Sequence, residues 1–426
     1  MNEELCINKS DRKLESFNKI GLMAFLISII VLPRSYVIVK LFFLSFFIIG
    51  HIIRIIKRNK LTLFTNVFVF YSFVTVAGLY CSVVGYINGA PIEGIKANFR
   101  LYVVWGIAYF IIITLVRSSS SVKSIHTSLI ISAFLIFIIN MIGLFNTYTS
   151  AGVLNSDFIK EMDMSIGIHD GYVQIMSHNI ASLFFIVPYL INLQFRSDSR
   201  HFNSFYTRMC LLVCLVLVAL SGRRALWLSI LFTPLIILIW SYITKSYNLI
   251  KSSARRFIWI LTIVSLLVTC LIFILQVEGG IEWGFLKHLK AAFSSEDERS
   301  IQKGYLINSF LQYPIFGSGF GMNAGYLRNQ EEPWLYELTY YQILFNFGIV
   351  GVLFLTSFLF IYLYLIIVKI KKLKNDSVFA SSIMTGFFSF LLAIYSNPYF
   401  GSFDFLIYIA MLPYLSTFKA GYNLDK

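Results

Sequence analysis

The sequence contains few charged residues for its length. Only 13% of its 426 residues are charged, whereas 58% are hydrophobic. Soluble globular domains usually carry about 25% charged residues, so this chain has too little polar surface to remain in water alone. Its apolar residues form long continuous runs, such as 257–276, and not the segments of about 10 alternating residues that a membrane barrel needs. We therefore predict an all-α, polytopic membrane protein.

Cysteine is also scarce. None of the five cysteines lies in a polar loop on the far side of the membrane, so no disulfide framework is expected. Cys210 and Cys214 are one helical turn apart, but no His or carboxylate joins them as a metal site. The N-terminus is polar up to Lys19 and has no short apolar region followed by small residues. We therefore expect no removable signal peptide.

Hydropathy predicts about twelve membrane spans within a single integral membrane domain, 1–426. The run 338–368 is too long for one crossing, since about 20 residues suffice. We interpret Glu337 to Asn346 as a partial helix at the outer interface, after which Gly348 and Gly351 lead into the crossing itself. The predicted spans are 20–33, 36–56, 61–87, 101–116, 127–147, 178–195, 209–220, 225–243, 257–276, 338–368, 378–396 and 402–418.

The distribution of Lys and Arg predicts the orientation, because cytoplasmic loops carry an excess of both. With the N-terminus inside, 23 of the 35 basic residues and 7 of the 21 acidic residues are cytoplasmic. The net charge of +14 is therefore read as a positive-inside signal, and no nucleic-acid partner is expected. An even number of spans places both termini in the cytoplasm. The predicted cytoplasmic segments are 1–19, 54–60, 117–126, 196–208, 245–256, 369–376 and 419–426.

Two predicted outer loops are long, 148–177 and 277–337. Loops longer than about 15 residues in compact folds are usually functional. The second loop contains an amphipathic run, Ser300 to Gln312, which Pro314 ends. A second, aromatic helix is predicted to begin near Trp334. The acidic residues and His169 in the first loop have the spacing of no metal site, and we interpret them as solvated.

Gly317, Gly319 and Gly321 lie between the two predicted helices of the second loop. Such a loop could expose its amides to a phosphate, because glycine needs no room for a side chain. No strand precedes it, so a dinucleotide fold is not indicated. A tight turn between helices is the simpler interpretation.

Several cations are predicted on the outer face, where the orientation rule disfavours them. Arginine binds phosphate in a bidentate manner, although exposed arginines can also extend to the lipid headgroups. Arg299 and Lys303 are one helical turn apart, and Glu296 is an alternative ion-pair partner for them. Glu337 is a candidate general base, or a carboxylate favoured by a helix dipole. The candidate diphosphate-binding residues are Arg100, Arg223, Arg224, Arg299 and Lys303.

The order of these elements resembles the O-antigen ligase and polymerase superfamily of bacterial membrane glycosyltransferases. Ser-His-Asn opens the span at 177–179, and a Ser-Gly-Arg-Arg-Ala turn occupies 221–225. Tyr-Pro-Ile-Phe-Gly-Ser-Gly-Phe-Gly follows at 313–321 and Glu-Leu-Thr-Tyr-Tyr-Gln-Ile-Leu at 337–344, before Phe-Gly-Ile-Val-Gly at 347–351. The resemblance covers 177–355. Family ligases carry a His where this chain has Glu337 or a neighbour.

The resemblance implies a GT-C-like helical fold in the bacterial inner membrane. It also implies glycan transfer from an undecaprenyl diphosphate carrier on the outer side. Arg223 or Arg224, together with Arg299, would bind the diphosphate, and Arg299 and Glu337 would be catalytic. The donor is already activated, so no metal and no cofactor is expected. The implied partners are the lipid-linked oligosaccharide, membrane lipids and a chain-length regulator protein.

Three functions fit this pattern. The first is a polymerase that adds a growing glycan to a lipid-linked repeat unit. The second is an O-antigen ligase, which shares the donor but uses a different acceptor. The third, from another class, is a flippase for the same lipid-linked sugar. Transporters usually show internal repeats and charged residues near the membrane midplane, and neither is evident in this sequence.

The orientation predicts which loops an impermeant thiol reagent can reach. In a variant without native cysteines, Phe285→Cys is expected to react in intact cells, because the loop 277–337 is predicted to be outside. The matched variant Lys374→Cys, in the predicted cytoplasmic segment 369–376, should react only after the cells are broken. The reverse pattern would invert the topology.

Overall fold

The computed structural model is a bundle of α-helices. Eight helices are long and apolar enough to cross a membrane, and three shorter apolar helices accompany them. This confirms the predicted all-α polytopic fold. Most of the predicted span 257–276 lies outside the described residues. The structure describes residues 9–58, 64–116, 119–149, 152–169, 172–196, 205–252, 254–255, 259, 262–263, 298–328, 330–373 and 377–417.

The helices are numbered here in chain order over the described residues. A π-helical segment, Arg100–Val104, and five short 3₁₀ segments lie between them: His178–Ser182, Tyr247–Leu249, Ile394–Ser396, Tyr399–Gly401 and Phe403–Phe405. The α-helices are α1 (Lys9–Val31), α2 (Val37–Arg58), α3 (Thr65–Ile87), α4 (Ile92–Phe99), α5 (Trp105–Leu115), α6 (Ser119–Thr149), α7 (Ser156–Glu161), α8 (Leu183–Phe195), α9 (Phe205–Leu220), α10 (Arg224–Ile243), α11 (Glu298–Gln312), α12 (Thr339–Leu373), α13 (Val378–Ala393) and α14 (Leu406–Ser416).

Helix α8 lies at the centre of the bundle. It packs against α9, α10 and α13, and its side chains from Leu183 to Leu190 are all buried. The amide of Asn192 crosses to α13, where it donates to the hydroxyl of Thr385 at 2.6 Å and to the carbonyl of Ser381 at 3.1 Å. A buried amide inside an apolar core requires such partners. The polar contact therefore fixes α8 against α13 within an otherwise apolar interface.

A two-stranded antiparallel hairpin follows α7, which the all-α prediction did not include. Strand β1 (Ser165–His169) pairs with β2 (Tyr172–Met176), and Ser165 lies opposite Met176. The sequence contains a hairpin signal at this place, because Asp170-Gly171 separates two runs with alternating apolar residues. The hairpin and residues 314–337 lie at the same end of the bundle, which we call the loop end.

Helix α12 breaks at Gly348, where the backbone has φ 64° and ψ −176°. The prediction of a partial helix followed by a separate crossing is therefore confirmed. A break inside an apolar helix leaves backbone groups without partners, and in a membrane these groups must be satisfied by protein. The residues that satisfy them come from the glycine loop, defined here as residues 314–321.

The glycine loop inserts into this break. The amides of Ile349 and Val350 donate to the carbonyls of Pro314 and Ile315 at 2.9 and 3.1 Å. In return, the amides of Ser318 and Gly319 donate to the carbonyls of Phe345 and Asn346 at 2.8 and 3.0 Å. The loop also contacts α3, because the Phe320 amide donates to the carbonyl of Cys81 at 2.8 Å. These contacts join α3, α11 and α12.

Two boundaries near the loop end differ from the prediction. Residues 88–99 were predicted as a loop, but 92–99 form α4, which is continuous with the following π-helical segment and α5. The aromatic helix predicted near Trp334 begins instead at Thr339, so Glu337 precedes it by two residues. Amphipathic α4 lies at a bundle end, where hydropathy alone does not distinguish a short helix from a polar loop.

The packing of the glycine loop predicts a strong effect of Gly319→Ala on folding. The backbone of Gly319 has φ +80°, and an added Cβ would overlap the backbone of Gly85 in α3. We expect loss of folded, monodisperse protein, measured by size-exclusion chromatography and thermal unfolding in detergent.

Gly89→Ala is the matched control, because Gly89 has φ +78° but no heavy atom within 4 Å of an added Cβ. Gly89→Ala is expected to lose only the free energy that a left-handed backbone costs a residue with a Cβ, about 1–2 kcal/mol. Equal losses in the two variants would show that close packing against α3 is not what requires glycine at 319.

Candidate functional site

The guanidinium of Arg223 lies at the loop end, where the turn after α9 leads into α10. Gly222 has φ +60°, and an added Cβ there would overlap the side chain of Gln174, so the hairpin presses closely against this turn. The guanidinium is half-buried. It donates to the hydroxyl of Tyr399 at 2.9 Å and to the carbonyl of Ser177 at 2.9 Å. Arg223 is thereby held in one orientation by two segments distant in sequence.

Tyr399 is the residue on which the cations converge. Burial raises the pKa of its hydroxyl, and the charges of Arg223, Arg34 and Arg299 oppose that increase. The phenol is therefore a neutral hydrogen-bonding group surrounded by three arginines. Sequence reasoning did not identify it, because one Tyr among 25 carries no local signal.

Glu337 pairs with Arg299 and with one further arginine, Arg328. Its Oε2 atom lies 2.9 Å from Nε of Arg299, and its Oε1 atom lies 2.8 Å from a terminal nitrogen of Arg328. The backbone amides of Glu337 and Leu338 donate to the side-chain oxygen of Gln302 in α11, at 3.0 and 3.1 Å. These bonds fix Glu337 relative to α11, so the two guanidiniums are placed side by side in front of α12.

Arg34 was not singled out in the sequence, yet it lies beside Tyr399. Its backbone has φ 67°, a conformation that non-glycine residues adopt only when the surrounding structure enforces it. Its amide donates to Oδ2 of Asp404 at 2.8 Å, and its guanidinium donates to the carbonyl of Pro398 at 3.1 Å. Partial desolvation and the charge of Arg328 lower the pKa of this guanidinium, and Tyr399, Asp404 and Glu332 oppose the decrease.

A buried ion pair supports Arg34. Lys40 and Asp404 lie 2.6 Å apart, and their side chains are only 1% and 0% exposed. The hydroxyl of Ser402 donates to Asp404 at 2.9 Å, so the carboxylate accepts from three groups. Breaking a buried pair by removing one partner is strongly destabilising. The pair therefore fixes the start of α2 against the residues that precede α14.

A polar cavity of about 310 Å³ opens beside Arg34. Arg100 lines it from the π-helical segment, and Glu332 and Trp334 line it from the segment before α12. Arg100 is exposed and has no ion-pair partner among the described residues. Of the predicted cations, Arg100 thus lines the polar cavity, whereas Arg223 and Arg299 do not.

A second polar cluster lies behind Arg223. The hydroxyl of Ser177 contacts Oδ1 of Asn140 and of Asn179, at 2.8 and 2.7 Å, and the Asn140 amide donates to Asn179 at 2.9 Å. His178 Nε2 lies 3.3 Å from Oδ2 of Asp163. The Ser-His-Asn sequence at 177–179 therefore orders the backbone carbonyl that Arg223 uses.

An apolar groove of about 930 Å³ begins at Ala225, two residues after Arg223. We call it the α10 groove. It runs from Ala225 to Ile243 along α10, with α12 and α13 on the other sides. Tyr340 and Tyr395 line its loop end. Its apolar lining and its length along a spanning helix match a hydrocarbon chain, and Arg223 precedes its first lining residue by two positions.

The predicted site residues are distributed unequally. Arg223, Arg299 and Glu337 come together around Tyr399 and α12. Lys303 is close by but lies over the ring of Tyr341, at 5.6 Å. The side chain of Arg224 and Glu296 lie outside what the structure describes. The amides of the glycine loop at 317–320 are hydrogen-bonded within the protein, so the tight-turn interpretation holds and these amides are not available to a phosphate.

Residues 209–356 match the model of a family described as O-antigen ligase. This match confirms the resemblance to the O-antigen ligase and polymerase superfamily. The matched segment contains Arg223, Arg299 and Glu337. It also contains the glycine loop and the break in α12 that the loop fills. Arg34, Arg100 and Tyr399 lie outside it. A search of curated proteins found no match to the chain.

Proposed function

We propose that this protein is a polysaccharide polymerase of the bacterial inner membrane. It transfers a growing glycan from undecaprenyl diphosphate to a lipid-linked repeat unit. The observation that carries the proposal is that three arginines lie near residues that line the loop end of the apolar α10 groove. Arg223 precedes Ala225 by two residues, and Arg299 and Arg328 pair with Glu337, three residues before Tyr340. A lipid diphosphate has the same arrangement, with a hydrocarbon chain that ends in two phosphates. The GT-C-like architecture and the outward orientation of the loop end belong to this proposal.

In the proposed reaction, a hydroxyl of the acceptor's nonreducing sugar attacks the anomeric carbon of the donor. A new glycosidic C–O bond forms and the bond from that carbon to the diphosphate oxygen breaks. The leaving lipid diphosphate takes the bonding electrons, and the acceptor proton passes to Glu337. Arginines fixed in advance stabilise the charge that develops on the leaving group, where such charges contribute most to rate.

The arrangement of Arg223 supports this role. Two of its donors are used by Tyr399 and Ser177, which holds the guanidinium in place before substrate arrives. A preorganised cation needs no reorganisation during the reaction. Glu337 holds Arg299 and Arg328 in the same manner, and it can accept a proton only when one of these two ion pairs opens.

The ligase is the second candidate, because the matched family model is described by that activity. A ligase would use the same donor and the same arginines, and it differs only in its acceptor. A flippase is less well supported. The buried charged pair of the described spans, Lys40 with Asp404, lies at the loop end and is internally neutralised.

Deleting the gene distinguishes the two transferases. We expect single repeat units that are still attached to their final acceptor, since a separate ligase would act on them. Gel electrophoresis of surface glycan and mass spectrometry of carrier-linked glycan give the measurement. Long chains accumulating on the carrier, with no attached glycan, would make this protein the ligase.

Variants of the arginines test the site. Arg223→Ala and Arg299→Ala are each expected to reduce the polymerisation rate by about 100-fold or more, with normal membrane insertion. Lys substitutions should restore little activity, because an ammonium cannot reproduce the guanidinium fork. Lys160→Ala, which removes an exposed cation from α7 at the same end, is the control. Normal chain length in both arginine variants would assign the guanidiniums a structural or lipid-anchoring role.

A further inference from the structure

A second apolar cavity, of about 460 Å³, is also lined by α12. We call it the α3 groove. Phe73 and Gly78 line it from α3, and Gly106 lines it from α5. Helices α12, α13 and α14 complete its wall. Tyr340 and Leu391 line both grooves, so the two grooves adjoin at these residues.

The α3 groove adjoins the polar cavity that contains Arg34 and Arg100. Five residues line both spaces: Leu101, Tyr102, Ile343, Phe347 and Phe400. The polar cavity carries two arginines against one carboxylate, Glu332, and is therefore net positive. Asp404 adds no net charge because Lys40 neutralises it. An apolar groove in the spanning region thus shares a wall with a cationic cavity at the loop end.

The π-helical segment Arg100–Val104 lies at the junction of the two spaces. Arg100 lines the polar cavity, and the next two residues line both. Single-turn π segments inside helices are frequently found at functional sites. The segment places a cation at the rim and an aromatic ring at the entrance to the apolar part.

We propose that the α3 groove and the polar cavity bind a second lipid-linked diphosphate, the acceptor of the reaction. This inference rests on the proposed function and names its second substrate site. The hydrocarbon chain lies in the α3 groove, and Arg34 and Arg100 bind the diphosphate. The donor occupies the α10 groove, with Arg223, Arg299 and Arg328.

The two cation sets meet at Tyr399. Arg34 contacts the carbonyl of Pro398 from the polar cavity, while Arg223 donates to the hydroxyl of Tyr399. In this arrangement the segment 398–403 lies between the two diphosphates, and both are at the loop end. This separation prevents the strong repulsion that two diphosphates in one site would experience. It also leaves the sugars of both lipids on the same side of the membrane.

Photocrosslinking tests each groove separately. Phe73 in the α3 groove, or Phe232 in the α10 groove, is replaced by p-benzoylphenylalanine in the full-length protein. The protein is reconstituted in nanodiscs of phosphatidylethanolamine and phosphatidylglycerol that contain undecaprenyl diphosphate. Intact mass spectrometry after irradiation measures which lipid is attached. We expect undecaprenyl diphosphate at both positions.

Substituting an arginine in each crosslinking variant tests which arginine serves which groove. Arg100→Ala is expected to reduce the undecaprenyl diphosphate adduct at position 73 by about fivefold or more, because a charge-assisted contact is lost, and to leave the adduct at 232 unchanged. Arg299→Ala should have the opposite selectivity. Gly106→Leu should reduce the adduct at position 73 alone, because the new side chain would fill part of the α3 groove. The fold should tolerate it, since an added Cβ at Gly106 meets only Val74, at 3.7 Å. Lys96→Ala, one turn before Arg100, is the control and should affect neither.

The outcomes separate the inference from the proposed function. Capture of undecaprenyl diphosphate at 232 with only phospholipid at 73 would overturn the second site and leave the donor site standing. An adduct at 73 that is insensitive to Arg100→Ala would also overturn it. Capture at neither position would contradict the proposed function itself.

Discussion

The break in α12 at Gly348 is the constraint on which the loop end depends. A helix interrupted inside an apolar bundle exposes amides and carbonyls that cannot pair with water. The glycine loop supplies partners for both sets, and its left-handed glycines allow backbone to approach backbone. Because the same loop contacts α3, one set of hydrogen bonds positions α3, α11 and α12 together. Glu337 and the start of α12 are thereby fixed relative to the arginines.

A buried charged pair provides a second fixed point. Lys40 and Asp404 neutralise each other, and Asp404 also accepts from the amide of Arg34. This carboxylate therefore joins α2, α14 and a strained turn after α1. Arg34 is placed between Tyr399 and the polar cavity as a result. Cations at the loop end are held by such neutral or paired groups, and several guanidinium donors are left to bind a ligand.

The two apolar grooves follow from the same architecture. Helix α12 lines both grooves, and Tyr340 and Leu391 contribute to both walls. The α3 groove shares five lining residues with the cavity of Arg34 and Arg100, whereas the α10 groove begins at Ala225, two residues after Arg223. A protein that joins two lipid-linked sugars has to hold two hydrocarbon chains and two diphosphates without placing the phosphates in contact. The described bundle offers two separate spaces of that kind at one end.

The amino-acid sequence by itself determined the membrane class, the eight helices long enough to cross a membrane, the break at Gly348, and the identities of Arg223, Arg299 and Glu337 as candidates. These features depend on hydropathy, glycine and charge, which are local properties. Tyr399, Arg34 and the pair of Lys40 with Asp404 were decided only by the tertiary structure. Their partners lie 176 to 370 residues away in the chain, and no local pattern encodes such contacts. The hairpin and α4 were also missed, because short elements at a bundle end take their conformation from what they pack against.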